Sequence, residues 1–371
     1  MSILVTIGIV AKNEAENIEK TLESVINQNF RKCDAFSNLS EIKDFRFPNV
    51  KRLRPLKSKI LEDFDHSKFE IIVVDGNSDD KTREVAENVL NSSNIKYQVL
   101  NEKDFGFYGL CFARNIVIDN ASSSSKYIAF TDADCIVEEN WLQELLLEIE
   151  NTGDKVAGAG GPRLVALTKN KKEVVINHYL TSFIASAGNP AFSKRDVKFL
   201  DSIPNYNSIY KKEIIQKFRY DDSLIISDDN ELNYRLKKAG YKFVYGKNAE
   251  VYHGETDSIM EFGKNMFNYG VNITNTIKKH RIFKIKPFIS LIFLIYLIFI
   301  IPLYLIIGWL ILIPLMLYFI LAILTFAEIL FKTKTVYSVI VFLLMPIQHV
   351  CYAYGIIYNL LFIRPVHKNN S

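Results

Sequence analysis

Over the first 150 residues apolar positions fall into β-branched runs of four to eight, each closed by a polar turn and followed by three-and-four spacing. That alternation predicts strands and amphipathic helices in turn. Ile3–Val10 reads as the first strand. Asn13 then reads as a helix cap, with Glu16 at the reciprocal capping position and Ile18, Leu22, Val25 and Ile26 on one face. A second strand, Ile71–Val74, ends at Asp75-Gly76-Asn77-Ser78 and feeds a helix through Val85, Ala86 and Val89. Tyr97–Leu100 and Tyr127–Phe130 supply a third and a fourth strand. Such an order predicts an α/β fold around a mostly parallel sheet, whose ligands sit beyond the carboxyl ends of the strands. Further on, Leu232 and Leu236 with Gly240 as a stop predict a helix whose first turn carries Asp228 and Asp229.

The pattern changes after residue 286. Pro287 to Ala327 is a run of 41 residues without Asp, Glu, Lys or Arg, and Thr335 to Ile363 is another of 29 whose titratable side chains are His349, Cys351 and tyrosines. A bilayer-spanning helix needs roughly 20 apolar residues. The first run is long enough to cross twice as a hairpin turning near Gly308-Trp309, and the second to cross once, giving helices at about 288–307, 309–328 and 336–361. Pro346, Gln348 and His349 near the centre of the last run are costly facing lipid, so a re-entrant or interfacial course is its alternative. The first ten residues have no basic flank and read as a strand, not a signal peptide.

Charge sharpens this division. Residues 1–277 hold 36 basic and 40 acidic residues, whereas Lys278, Lys279, Arg281, Lys284 and Lys286 add five positive charges within nine positions. A basic cluster abutting an apolar span places that side in the cytoplasm, and Lys332 and Lys334 fit a return to it. The expected organisation is a cytoplasmic α/β domain at 1–277, a basic linker at 278–286, a membrane domain at 287–363 and a tail at 364–371. The protein is thus expected to be a multi-pass protein of the cell membrane. Cysteines at 33, 111, 135 and 351 form no CxxC pair, which suits a reducing compartment. No GxGxxG or P-loop motif is present, so dinucleotide chemistry and ATP hydrolysis lack support, and the distribution of basic residues does not suggest nucleic acid.

Two strand ends carry chemistry. Asp75 closes the second strand, and Asp132-Ala133-Asp134 follows the fourth. Carboxylates at i and i+2 of an extended segment point to one side, which suits a divalent cation; aspartates there are also ordinary turn formers. Asp228 and Asp229 in a first helical turn serve equally as caps or as a general base, because the helix dipole favours the ionised form in both roles.

The ordered set resembles the inverting glycosyltransferases of family 2, which have the GT-A fold. It comprises Val10–Glu14, Ile71–Asp79, Gly109–Asn115, Asp132–Asp134, Asn207–Lys211, Asp228–Leu232 and Tyr269-Gly270. The resemblance implies that Glu14 and Asp75 hold the base and ribose of a nucleotide-sugar, with Arg114 near the donor. Asp132 and Asp134 would fix the ribose and a Mg2+ or Mn2+ on the diphosphate, and Asp229 would deprotonate the acceptor. Tyr269 and Asn207 match acceptor-side positions. His253 falls where many GT-A enzymes place a histidine near the metal or diphosphate, although a lone histidine is also an ordinary structural residue. The family's acidic pair usually begins with Glu, so Asp228 leaves open which aspartate is the base. The Gln-x-x-Arg-Trp signature of processive synthases is absent; Phe267–Asn272 stands there.

An anchored sugar transferase implies an acceptor in the membrane. The expectation is a metal-dependent, inverting, non-processive glycosyltransferase that moves a sugar to a lipid-linked acceptor in glycan or exopolysaccharide assembly. A polyprenyl-phosphate glycosyl synthase and a catalytically silent nucleotide-sugar-binding membrane scaffold are the alternatives. Residues 29–68 form an insertion with ten basic and six acidic side chains, in which Lys51–Arg54 would touch lipid or acceptor phosphate if it is not simply a solvated elaboration.

Overall fold

A computed structural model describes residues 2–30, 64–106, 108–153, 155–166, 168, 170–192, 197–224, 228–254, 256, 258–282 and 285–363. The Lys51–Arg54 run and the tail at 364–371 lie outside the described residues. The chain forms two compact units: residues 1–162, 194–222 and 232–251, and residues 163–193, 223–231 and 252–371.

In the first unit β1 (Val5–Ala11), β2 (Phe69–Asp75), β3 (Lys96–Asn101) and β4 (Tyr127–Asp132) stand parallel in the order β3-β2-β1-β4. β5 (Val156–Gly160), β6 (Phe199–Leu200), β7 (Ser208–Lys211) and β8 (Lys242–Tyr245) extend the sheet as β4-β7-β5-β8-β6. There β7 runs antiparallel to both neighbours and β6 antiparallel to β8, so the parallel expectation holds for the first four strands and for β5 with β8. Every residue of β2 is buried, and its apolar run Ile71–Val74 suits a strand covered on both faces. The helices α1 (Ile18–Ile26), α2 (Thr82–Asn91), α3 (Leu110–Asn120) and α4 (Trp141–Glu150) cover the sheet. Leu22 and Val25 of α1, Leu145 and Trp141 of α4 and the inward residues of β1 and β2 share one core.

In the second unit α5 (Lys171–Leu180) and α8 (Ile259–His280) pack with the apolar helices α9 (Ile285–Ile307), α10 (Ile313–Thr333) and α11 (Val341–Phe362). Between these groups in sequence lie α6 (Lys212–Phe218) and α7 (Asp228–Lys238), and Gly240, at φ 88°, ends α7. α9 and α10 fold back at Gly308, so that Phe293 stacks on Tyr318 at 4.5 Å and the Tyr296 hydroxyl donates to Ile311 O at 2.7 Å. Two segments are long and apolar enough to cross a membrane, Pro287–Thr333 with 0% of its most apolar window buried and Val336–Phe362 with 33%.

α11 is accounted for by α8. The two run side by side in the same direction. A Cβ on Gly263 would lie 3.5 Å from Cys351 Sγ, Asn359 Nδ2 donates to Val271 O at 2.9 Å, and Lys278 Nζ donates to Ile363 O at 2.7 Å. At the crossing a Cβ on Gly270 would meet Tyr352 O at 2.1 Å, and one on Gly355 would meet Phe267 O at 2.1 Å. This contact pulls α8 into the second unit, whereas the linear division predicted from the sequence ended the first domain at 277. Gln348 is satisfied by protein: it accepts from the Tyr179 hydroxyl and donates to Ala185 O at 3.2 Å.

The basic linker also differs from a simple lipid-facing collar. Lys278 donates to Asn359 O at 2.6 Å as well as to Ile363 O, and burial lowers its ammonium pKa below the usual lysine range. Lys279 turns toward Glu231, leaving Arg281 exposed; Lys284 and the Lys286 side chain lie outside the described residues. Part of the linker's positive charge is thus spent on helix carbonyls and a buried carboxylate.

Candidate functional site

The register of the parallel strands aligns their carboxyl ends. Ala11 pairs with Asp75, Asp75 with Asn101 and Val10 with Asp132, so the two aspartates stand on one edge, on either side of β1. Asp75 is 2% exposed and accepts from the Ser78 N–H at 3.3 Å, the Ser78 hydroxyl and Asn101 Nδ2 at 3.3 Å. The loops after β1 and β2 are stitched together. Asn13 Oδ1 accepts the Asp79 N–H at 2.8 Å, the Asn13 N–H donates to Ser78 Oγ at 2.9 Å, and the Glu14 N–H donates to Thr82 Oγ1 at 2.7 Å. Asn13 is therefore not the helix cap that its position suggests. It sits at φ 57°, a left-handed turn that asparagine tolerates, and α1 starts later, after Asn17, whose Nδ2 donates to Glu14 Oε2 at 2.8 Å.

Asp132 ends β4 and pairs with Arg114 of α3, Nη2 to Oδ1 at 3.1 Å. The arginine side chain is 5% exposed and the aspartate 32%, and the guanidinium lies 5.9 Å over the Tyr220 ring. The pair thus fixes Asp132 from inside while leaving part of its carboxylate open. Asp134 is half-buried before a short strand, Cys135–Val137, and the Thr21 hydroxyl of α1 holds the intervening turn by donating to Ala133 O at 2.7 Å. Two carboxylates two residues apart are a donor set of hard oxygens and fit Mg2+ or Mn2+. Cys135 Sγ is 3.7 Å from Asp134 Oδ1 and fully buried, a soft donor that such ions do not favour.

Two further residues were given no role by the sequence. Glu102, 4% exposed just beyond β3, accepts the N–H of Gly109, which caps α3, at 2.7 Å. Burial pushes its carboxyl above the ordinary glutamate range, Gly109 and Lys12 oppose that, and Asp75 adds to it. A raised folded-state pKa contributes stability that is present below the unfolded pKa and lost as pH rises through the folded one. Glu102→Gln keeps an acceptor for Gly109 and removes the ionisation. We expect its melting temperature to exceed that of the native chain increasingly as pH rises from 4 to 7, measured by scanning calorimetry. Asn115 is the second residue. Its amide donates to Tyr220 O at 2.9 Å and Asp222 Oδ1 at 2.6 Å and accepts the Tyr220 N–H at 3.1 Å, fixing the segment that leads toward Asp228 and Asp229. Its signal was its place at the end of Gly109–Asn115.

Asn207, an acceptor-side candidate in the sequence, is 0% exposed. Its Oδ1 accepts from Trp141 Nε1 at 2.8 Å, and its Nδ2 donates to Ala249 O at 2.8 Å and Pro162 O at 3.2 Å. With its amide spent inside the first unit, its role is architectural.

In the second unit Asp228 opens α7, and Asp229, half-buried in the same turn, accepts the N–H of Asn230 at 2.6 Å. His253 is 7% exposed at the end of a short strand, and Tyr269 of α8 is 40% exposed.

Residues 49–218 match the model of the family described as Glycosyl transferase family 2. Among curated proteins the chain is similar to glycosyltransferase AglE of Haloferax volcanii, at 25% identity over 242 residues, which are 65% of this chain and 64% of that protein. It is also similar to a dolichyl N-acetyl-alpha-D-glucosaminyl phosphate 3-beta-D-2,3-diacetamido-2,3-dideoxy-beta-D-glucuronosyltransferase of Methanococcus voltae, at 26% identity over 56% of this chain and 64% of that one. The chain thus spans a little under two thirds of the length of these relatives. Among solved structures, the mannosyltransferase PcManGT of Pyrobaculum calidifontis in complex with GDP-Man and Mn2+ superposes with a TM-score of 0.55 at 14% identity, over 98% of this chain and 89% of that one. The shared fold is the GT-A fold.

Proposed function

We propose that this chain, which carries a glycosyl transferase family 2 domain over residues 49–218, moves a sugar with inversion from a nucleotide-sugar to a lipid-linked acceptor at the cytoplasmic face of the cell membrane. The observation that carries the reading is the strand-end edge, where Asp75 and an Arg114-locked Asp132 stand on parallel strands on either side of β1. Glu14 and Asp75 bind the base and ribose of the donor, with Arg114 setting the orientation of Asp132. Asp132 and Asp134 would hold a Mg2+ or Mn2+, which when bound neutralises charge on the diphosphate leaving group. His253 is a further candidate ligand for that ion. Asp229 takes the proton of the acceptor hydroxyl, with Asp228 as its companion, and Tyr269 lies on the acceptor side.

The name of the Methanococcus voltae relative, which specifies a dolichyl-phosphate-linked sugar, supports the acceptor class. So does the exposed apolar surface of the α9–α10 hairpin, where Ile301, Leu305 and Ile306 are 73%, 80% and 79% exposed. We take the hairpin to cross the bilayer. α11 follows α8 along its length, and α8 carries Glu261, Lys264, Asn265, Asn268, Asn272 and Lys278. A helix so polar does not cross hydrocarbon, so α11 lies with it at the interface in place of the third crossing.

Nucleoside diphosphate release by the purified full chain, across UDP-, GDP- and dTDP-sugars with Mn2+, tests the activity. Asp134→Ala should lower turnover at least about a hundredfold, the loss of roughly 2.7 kcal/mol of leaving-group stabilisation. No release with any donor would leave only the silent scaffold.

A further inference from the structure

Glu231 is 1% exposed, two residues after Asp229 in the first turn of α7. A glutamate almost never occupies such a position unless it is paired. Its Oε1 is 2.8 Å from His280 Nε2 and 3.5 Å from Lys279 Nζ, both in the last turn of α8. The preceding residue, Lys278, caps the end of α11 through Asn359 O and Ile363 O. Three consecutive residues of α8 therefore bind two different elements: one holds the end of an apolar helix, and two hold the carboxylate beside the proposed base.

We propose that Glu231 is a positioning residue that ties the first turn of α7, and with it Asp229, to the juxtamembrane end of α8 through His280 and Lys279. The inference rests on the base assigned to Asp229. A first helical turn lacks the full set of backbone hydrogen bonds, so its side chains depend on outside anchors for their placement. Glu231 supplies that anchor from the buried side of the turn. Its partners belong to the helix that leads directly into the membrane hairpin, so the base is registered against the surface where a lipid-linked acceptor presents its hydroxyl.

The experiment uses the full chain in detergent or lipid nanodiscs and measures kcat and KM for transfer together with the donor dissociation constant. Glu231→Gln should lower kcat about 10- to 100-fold, the scale of a misplacement near 1 Å, and leave donor affinity within about twofold. His280→Gln, at the less deeply buried end of the pair, tests the same tie if Glu231→Gln fails to fold. It should lower kcat in the same sense, and the double variant should be no worse than the more impaired single one. Glu231→Asp should recover more of the rate than Glu231→Ala. Unchanged kcat in His280→Gln, or effects of the two substitutions that simply multiply, would overturn the tie. Asp229→Asn separates the two ideas. If it transfers at the native rate, the base assignment falls and the positioning role with it; if it is inactive while both Glu231→Gln and His280→Gln are normal, only the positioning role falls.

Discussion

Asp229→Asn is expected to reduce transfer to a hydroxyl acceptor about 10²- to 10⁴-fold, the usual contribution of a positioned general base. At about 1.36 kcal/mol per decade this is roughly 2.7–5.4 kcal/mol of barrier. Asparagine preserves the size of the side chain and its ability to accept the Asn230 N–H, so the first turn of α7 should persist. What is lost is the negative charge that, in the proposed mechanism, receives the acceptor proton. Donor affinity should stay within about threefold, because the residues proposed to bind the donor are Glu14, Asp75 and Asp132. Initial rates with two acceptors, a lipid-linked sugar and a polyprenyl phosphate, decide between the two enzymatic readings. A phosphate is already ionised at neutral pH, so native rates with polyprenyl phosphate and a collapse with the sugar acceptor would assign the base to hydroxyl chemistry. Full activity of the variant on the only acceptor that the native protein accepts, if that acceptor is the phosphate, would make this a polyprenyl-phosphate glycosyl synthase.

The second large effect concerns the helix pair. Gly355→Leu should destabilise the second unit by about 3 kcal/mol or more, the upper end of what forced insertion into packed structure costs. Its Cβ alone would stand 2.1 Å from Phe267 O, and the atom in the way is backbone, which no rotamer change can move aside. Gly270→Leu meets Tyr352 O at the same distance and should behave alike. The two substitutions share one contact, so the double variant should lose less than the sum of the singles. Thermal unfolding in detergent, followed by limited proteolysis between α8 and α11, measures both. Gly153→Ala is the control for a glycine change outside this contact, because a Cβ there meets nothing within 4 Å; its φ of 96° still carries a local backbone cost.

β1, β2 and β4 were legible because each holds an apolar run that the sheet buries on both faces, β3 because its short Val99-Leu100 stretch follows a helix and a turn although it is a half-buried edge strand, and Asp75 and Asp132 because they end such runs. Asn13 misled because capping and loop-stitching use the same side chain. Which of them occurs depends on Ser78 and Asp79, 65 and 66 positions away. Glu102 and Glu231 were illegible for a different reason: a glutamate in a polar stretch looks solvated until its neighbours are known. Lys278 and Lys279 were counted as a collar because charge summed along a chain says nothing of direction. For α11, hydropathy says nothing of the packing against α8. That packing rests on Gly270 and Gly355, whose pairing needs both helices in view. Asn207 shows the converse, since a family match marked it while its environment gives it a wedge's work between Trp141, Pro162 and Ala249.

The lysine clamp of Lys278 on Asn359 and Ile363 has a bearing on parity. A chain that crosses a bilayer an odd number of times ends opposite to where it began; one that crosses an even number comes home. On the proposed reading, in which the hairpin crosses the bilayer, fastening the end of α11 to the end of α8, which precedes the hairpin, makes two the expected number of crossings. Ile363 and the proposed nucleotide-sugar site would then draw on the same pool of solutes. An epitope placed after Ser371 would be shielded in intact cells and open to antibody once the envelope is breached.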